Sequence, residues 1–280
     1  MFNNITLVIV SYKSENSITH CLKNIDKRFK IIIVENSQDI QIKKKFEDLN
    51  PNIKVILSKN IGYGAGINLA TKEITTKYFF AISPDIKIYH NTIYNLYSNA
   101  VKLDKKFIII VPKYLDLNND SAEQIKNDKS VSTVKEIAGA AIFFNKNNFD
   151  EINGFDEKIF MYYEENDIFK RSIKKKYDIF QINNSFVKHF GASSIDAKYK
   201  KENEINRNWH YMWSYFYYNQ KHFGKSYATL IALPLFMRSL FRFILFYIIS
   251  NDKYYTYKAR FNGLLNSFLN KKSWYRPNIK

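Results

Sequence analysis

The chain has 280 residues, 46% of them hydrophobic and 17% aromatic, enough for one large α/β domain with a packed core plus a smaller appendage. A single cysteine, Cys21, excludes an internal disulfide framework and fits a reducing compartment. The formal net charge of +17 is uneven, because residues 221–280 hold eleven Lys or Arg against one acid, Asp252. The first stretch, MFNNITLVIVSYKSE, has no basic leader and no small-residue cleavage site, so no signal peptide is expected there.

Short apolar runs alternate with helical patterns through the first half. ITLVIVSY (5–12), KIIIVENS (30–37), NIKVILSKN (52–60), KYFFAISPD (77–85) and KFIIIVPK (106–113) read as strands, separated by stretches such as the helical IQIKKKFEDL. Such a series predicts a mostly parallel sheet covered on both faces by helices. Ligands of such sheets bind beyond the carboxyl ends of the strands. Chemistry is therefore expected at Ser11 and Tyr12, at Glu35 and Asn36, from Asn60 to Gly66, and at Ser83 to Asp85. The polar stretch 114–135 reads as a long loop, IAGAAIFF (137–144) as a further strand, and a helix is expected through MYYEENDIFKR (161–171).

Several residues have two readings on spacing alone. The glycines of NIGYGAGIN open a helix and could admit phosphates to backbone N–H groups, but the spacing is neither a Walker loop nor a dinucleotide fingerprint. Asp85, after Ser83-Pro84, is either a helix cap or a metal ligand. His189 is either structural or a ligand. Glu164, Glu165 and Asp167 suit a helix N-terminus, with Asp167 and Arg171 spaced as an i,i+4 pair.

As an ordered set, these pieces resemble the family 2 glycosyltransferases of GT-A fold, and in particular a bacterial rhamnosyltransferase-like branch. The resemblance rests on VIVSYKSE, VENS, NIGYGAGIN, SPD, GAAIFF, GFDEKIFMYYEENDIFKR and HFGASS, spread over about residues 5–225. It implies an inverting, metal-dependent transfer of a sugar from a UDP- or dTDP-linked donor to a lipid-linked or cell-surface glycan. Under that resemblance Ser11, Tyr12, Glu35, Asn60, Gly62, Gly66 and Ser83 hold the nucleotide side. Asp85, with His189, would hold Mg²⁺ or Mn²⁺. Glu165 is the general base, Glu164 its support and Asp167 a structural partner. Glu35 stands where the family has Asp, Ser83 where it has Asn, and Glu165 where it has Asp. A catalytically degenerate scaffold or nucleotide-sugar-binding protein is the alternative.

The catalytic domain is expected over 1–222 and a basic, hydrophobic helical segment over 223–280. Residues 226–250 are long enough to cross a bilayer, but Arg238 and Arg242 make a span costly. A helix lying on an anionic membrane surface is expected instead, on the cytoplasmic side of the cell membrane. The apolar character of the tail argues against nucleic acid as its partner.

Overall fold

The computed structural model describes residues 1–103, 107–115, 131–191 and 200–276. Most of the expected 114–135 loop and residues 192–194 of HFGASS lie outside the described residues. The chain divides into two compact units: Met1–Asp156 with Ile168–Ser194, and Glu157–Asp167 with Ile195–Lys280.

The first unit opens with the predicted alternation: β1 (Ile5–Ser11), α1 (Glu15–Leu22), β2 (Lys30–Glu35), α2 (Ile40–Leu49), β3 (Ile53–Leu57), α3 (Tyr63–Thr71) and β4 (Tyr78–Ile82). Then come β5 (Ile86–Ile88), α4 (Thr92–Leu103), β6 (Phe107–Leu115), β7 (Val131–Thr133), β8 (Ala141–Asn145), α5 (Lys146–Glu151), α6 (Glu164–Lys174), whose first residues through Asp167 count with the second unit, and β9 (Asp178–His189). The strands run in the order β3-β2-β1-β4-β8-β6-β9-β5, with β7 on β9. β1 to β4 are parallel, as expected. Beyond β4 the strand–helix alternation lapses and antiparallel neighbours, which need no crossover, join the sheet beside one further parallel pair, β6 with β9. β8 is antiparallel to both β4 and β6, and β5 and β7 are antiparallel to β9. The sheet is therefore mixed, with most of its paired residues in parallel ladders and antiparallel ones added around β8 and β9.

Side-chain alternation along the strands builds two apolar layers. Leu7, Ile9, Ile31, Ile33, Phe80 and Phe143 face one side with Ile18, Phe46 and Leu96 of the helices. Val8, Val10, Ile32, Val34, Phe79 and Phe144 face the other with Ile67, Ala70, Phe149 and Ile168. All seven residues of β1 are buried, so truncating one of its large side chains to Ala should cost about 2–5 kcal/mol. Gly66 lets α3 lie directly on β1, since a Cβ there would sit 2.7 Å from Val10 Cγ1. Gly62 begins α3 at φ +92, a conformation that L side chains rarely adopt.

The second unit contains α7 (Lys200–Phe223), α8 (Lys225–Ile248) and α9 (Lys253–Phe268). Met212 and Phe216 of α7 bury against Ala228 and Ala232 of α8 and Leu264 of α9. The expected boundary at 222/223 thus falls inside this unit, in the last turn of α7. Among the described residues α8 alone is long and apolar enough to cross a membrane. Its Ala228, Ala232 and Ser239 are buried, whereas Tyr227, Leu230, Met237, Phe241, Ile244 and Ile248 are exposed. That spacing makes one apolar stripe about 30 Å long at 1.5 Å per residue.

Candidate active site

In the first unit the strand register gathers the motif residues. Ser11 pairs with Glu35, and Glu35 with Leu57, so β1, β2 and β3 end level with one another. Ser11 is buried, and its hydroxyl donates to Val34 O at 3.4 Å. Tyr12 and Asn60 are half-buried just past their strands. The Tyr63 hydroxyl of the glycine-rich turn donates to Gly139 O at 2.9 Å. Ser83 N donates to the adjoining Ala140 O at 2.8 Å. Three motifs read separately in the sequence, NIGYG, SPD and GAA, therefore meet.

Glu35 is fully buried. Its carboxylate accepts from Ser37 N at 2.8 Å, Ser37 Oγ at 2.7 Å and Asp39 N at 3.1 Å. The group expected to hold a nucleotide is thus engaged with its own loop. Its neighbour Asn36, only 4% exposed, donates from Nδ2 to Gly62 O at 3.4 Å. The Asn36 Oδ1 has no hydrogen-bond partner among the described residues. A buried acceptor left so is costly and suited to a ligand N–H. Sequence reasoning placed Asn36 at a strand end without giving it a role.

Asp85 follows β4 and meets His189 because Ile86 of β5 is registered with His189 of β9. His189 Nε2 lies 3.2 Å from Asp85 Oδ2. Adjacent ligands of an octahedral ion with bonds of ~2.1 Å are about 3 Å apart, so this pair fits two neighbouring coordination positions as well as a direct ion pair. Among the described residues no group of three or more His, Cys, Asp or Glu is arranged to hold a metal ion.

In the second unit the carboxylates follow a strained turn. Tyr162 and Tyr163 both take positive φ, 67° and 70°, which is unusual for two consecutive bulky residues. One face of α7 holds this segment. Arg207 Nε donates to the Tyr162 hydroxyl at 2.6 Å, and Ser214 Oγ to Met161 O at 2.8 Å. The Phe160 ring packs on His210 at 4.4 Å, and Tyr163 packs on Tyr211, Tyr215 and Tyr218. Asp167, with no exposed surface, is bonded to Lys221 Nζ at 2.6 Å and His222 Nε2 at 2.8 Å. These α7 positions recur at i, i+3 and i+4, the spacing of a single helix face. Arg171, the partner expected for Asp167, donates to the carbonyls of Ile152 and Gly154 at 2.7 and 2.6 Å.

Glu164 is buried, and its Oε2 has no partner among the described residues. Burial, with the Glu165 charge adding to it, pushes the Glu164 carboxyl up to about 8. Burial also raises Glu165. Two such acids side by side titrate as a pair, and near neutral pH the pair retains a proton. Below the strained turn, burial holds His210 neutral, down to about 3. One ring nitrogen of His210 lies 2.9 Å from Tyr275 O, so Nε2 is the donor and Nδ1 accepts from Ser273 Oγ.

A mixed sheet flanked by helices, with the motif residues at the carboxyl ends of its parallel strands, is a fold of the GT-A glycosyltransferase type. The family model for glycosyl transferase family 2 matches residues 6–178, and the chain belongs to that family. A low-salt glycan biosynthesis hexosyltransferase, Agl10, of Haloferax volcanii is 21% identical over 65% of this chain and 65% of its own length. A teichoic acid poly(glycerol phosphate) polymerase of Staphylococcus epidermidis is 27% identical over 47% of this chain and 20% of its own. The chain thus spans about two thirds of the first relative and one fifth of the second. Among solved structures, residues 1–349 of S. aureus TarS with UDP-GlcNAc superpose at TM-score 0.52 and 12% identity, over 97% of this chain and 93% of that one. GalNAc-T7 with UDP, GalNAc and Mn²⁺ gives 0.55 at 11% identity, over 75% of this chain and 50% of that one. At such identities the likeness is one of fold.

Proposed function

We propose that this transferase moves a hexose, with inversion, from a UDP- or dTDP-linked donor to a hydroxyl of a lipid-linked or cell-surface glycan. Rhamnose is the donor sugar implied by the branch that the motifs resemble. The observation that carries the reading is the Glu164–Glu165 pair, set after a strained turn, with Glu164 buried, Glu165 half-buried and both raised in pKa. An attacking hydroxyl must lose its proton as it bonds to the anomeric carbon. Glu165, the more accessible of the two, takes that proton. Glu164 keeps its own proton near neutral pH and so spares Glu165 a second negative neighbour. Ser11, Tyr12, Asn60, the Gly62–Gly66 turn and Ser83 border the nucleotide, and Asn36 Oδ1 accepts an N–H from its base. Asp85 and His189 would hold Mg²⁺ or Mn²⁺, which when bound neutralises charge on the donor diphosphate.

Donor hydrolysis with and without Mn²⁺ tests the reading, beside Mn²⁺ binding followed by electron paramagnetic resonance. Asp85→Asn should remove both the metal-dependent hydrolysis and the metal signal while thermal unfolding stays cooperative. Unaltered Mn²⁺ binding in that variant contradicts the metal role.

The α8 stripe supports docking on the cytoplasmic face of an anionic membrane. The opposite face of α8 is covered by protein at Ala228, Ala232 and Ser239, an arrangement suited to a helix lying in the membrane plane. Arg238 is exposed beside the stripe, and Arg242 contacts the Tyr257 hydroxyl, so the cationic heads can reach headgroups. Phosphatidylglycerol vesicles should retain the protein at low salt and release part of it at high salt. Phe241→Glu should weaken retention strongly. Indifference of the wild-type protein to these vesicles at low salt contradicts the docking.

A further inference from the structure

Two arginines of the second unit gather around one aromatic ring. Arg242 of α8 and Arg260 of α9, both half-buried, place their guanidinium carbons 5.2 and 5.9 Å from the centre of the Tyr257 ring. Arg242 Nη1 donates to the Tyr257 hydroxyl, a neutral group that engages one of its five N–H donors. Arg260 makes no hydrogen bond or ion pair among the described residues, and neither arginine has a carboxylate partner there.

Arg260 Nε is buried with no hydrogen-bond partner among the described residues, and so is Asn206 Oδ1 of α7. The packing of α7 on α9 sets these two residues level with each other. Ser267 Oγ donates to Trp213 O at 2.9 Å, and Gly263 backs directly onto Trp209 O. Three residues earlier on each helix stand Arg260 and Asn206. A buried donor and a buried acceptor left unmet cost free energy, and two guanidinium groups within about 11 Å repel each other. A net charge of +17 leaves many cations without an acid, which costs little at an exposed position. Held half-buried around one ring, this pair instead calls for an anion.

The donors decide its chemistry. Guanidinium forks bind phosphate oxygens in pairs, and two of them match the roughly two negative charges of a phosphate monoester near neutral pH. The neighbouring surface decides its source. Arg242 stands between Phe241 and Ile244, both exposed on the α8 stripe, so an anion bound here lies beside a surface suited to acyl chains. A free inorganic anion would leave that stripe uncovered.

We propose that Arg242, Arg260 and Tyr257 form a binding site for a lipid phosphate monoester, with Asn206 behind it. The site rests on the membrane-docking reading above and adds to it the headgroup that the surface selects.

The test uses the full chain and two kinds of probe. Phosphatidylcholine vesicles carry either phosphatidic acid, a monoester, or phosphatidylglycerol, a diester, at matched surface charge. Soluble dihexanoyl phosphatidic acid and inorganic phosphate are titrated without a bilayer, with thermal unfolding as the readout. Wild-type protein should bind phosphatidic acid vesicles about tenfold more tightly than phosphatidylglycerol vesicles, the scale of one charge-assisted contact. Arg260→Gln should bring the two affinities level, and Arg242→Gln should do the same. Arg238→Gln removes an equal charge from an exposed position of α8 and should weaken both affinities alike, preserving the preference. Equal wild-type binding of the two vesicles overturns the proposal, as does a preference that survives in both Arg260→Gln and Arg242→Gln. Loss of the preference in Arg238→Gln also overturns it, because surface charge alone would then decide. Inorganic phosphate bound as tightly as dihexanoyl phosphatidic acid overturns the lipid assignment. Indifference to every vesicle overturns the docking reading instead. Dihexanoyl phosphatidic acid then decides the site alone: binding that Arg260→Gln abolishes sustains it, and absence of binding overturns it.

Discussion

Glu35 and Glu164 are both buried carboxyl groups beside the start of a helix, yet their surroundings differ. Glu35, in the first unit, accepts three hydrogen bonds from Ser37 and Asp39. Glu164, in the second, has an oxygen with no partner among the described residues and follows two tyrosines in a strained conformation. The first arrangement stabilises a loop, whereas the second holds an acid in a state that costs free energy and raises its pKa. Strain and unmet polar groups persist where surrounding structure over-determines them, and function is the usual reason. Here the over-determination comes from α7, which holds the strained segment from Phe160 to Asp167.

The largest effect on this contrast is expected at Asp167. Asp167→Asn leaves Lys221 and His222 facing a neutral group, and breaking a buried pair this way typically costs about 3–5 kcal/mol. Urea unfolding measures the loss, and transfer should fall as well because the α6 turn loses its attachment to α7. Unchanged stability would mean that α7 does not hold the acids in place.

A pair of glutamine substitutions sharpens the comparison. Glu35→Gln should destabilise by about 1.5–3 kcal/mol, since an amide cannot accept all three bonds made by the charged group. Glu164→Gln should have the opposite sign above neutral pH. A carboxyl raised from 4.5 to about 8 contributes stability that is fully present below about 4.5 and is lost as pH rises to about 8, because the unfolded chain gives up its proton first. Wild-type melting temperature should therefore fall between pH 5 and pH 9 by more than that of Glu164→Gln. Parallel pH profiles would remove the burial argument for Glu164.

The parts legible in the sequence were those written locally. β1 to β4 were readable because each is a short, largely apolar run, and a parallel sheet buries both faces. The acids at 164 to 167 stood out through their spacing. The meeting of Asp85 with His189 depends on the β5–β9 register across more than a hundred residues, which no local pattern encodes. The strand end that carries Glu35 is visible in the sequence, whereas its bonds to Ser37 and Asp39 come from the loop geometry. The face of α7 that carries Arg207, Ser214, Lys221 and His222 reads as an ordinary aromatic-rich amphipathic helix. Its i, i+3, i+4 mix of aromatic and hydrogen-bonding residues was the available signal.

The measurement that bears most directly on the central claim is single-turnover sugar transfer by Glu165→Gln at saturating donor, with donor affinity measured separately by titration. The account predicts that transfer falls by roughly 10²–10⁴-fold, the usual contribution of a general base, while donor affinity is kept. Transfer at the wild-type rate would contradict the assignment of Glu165 as the base.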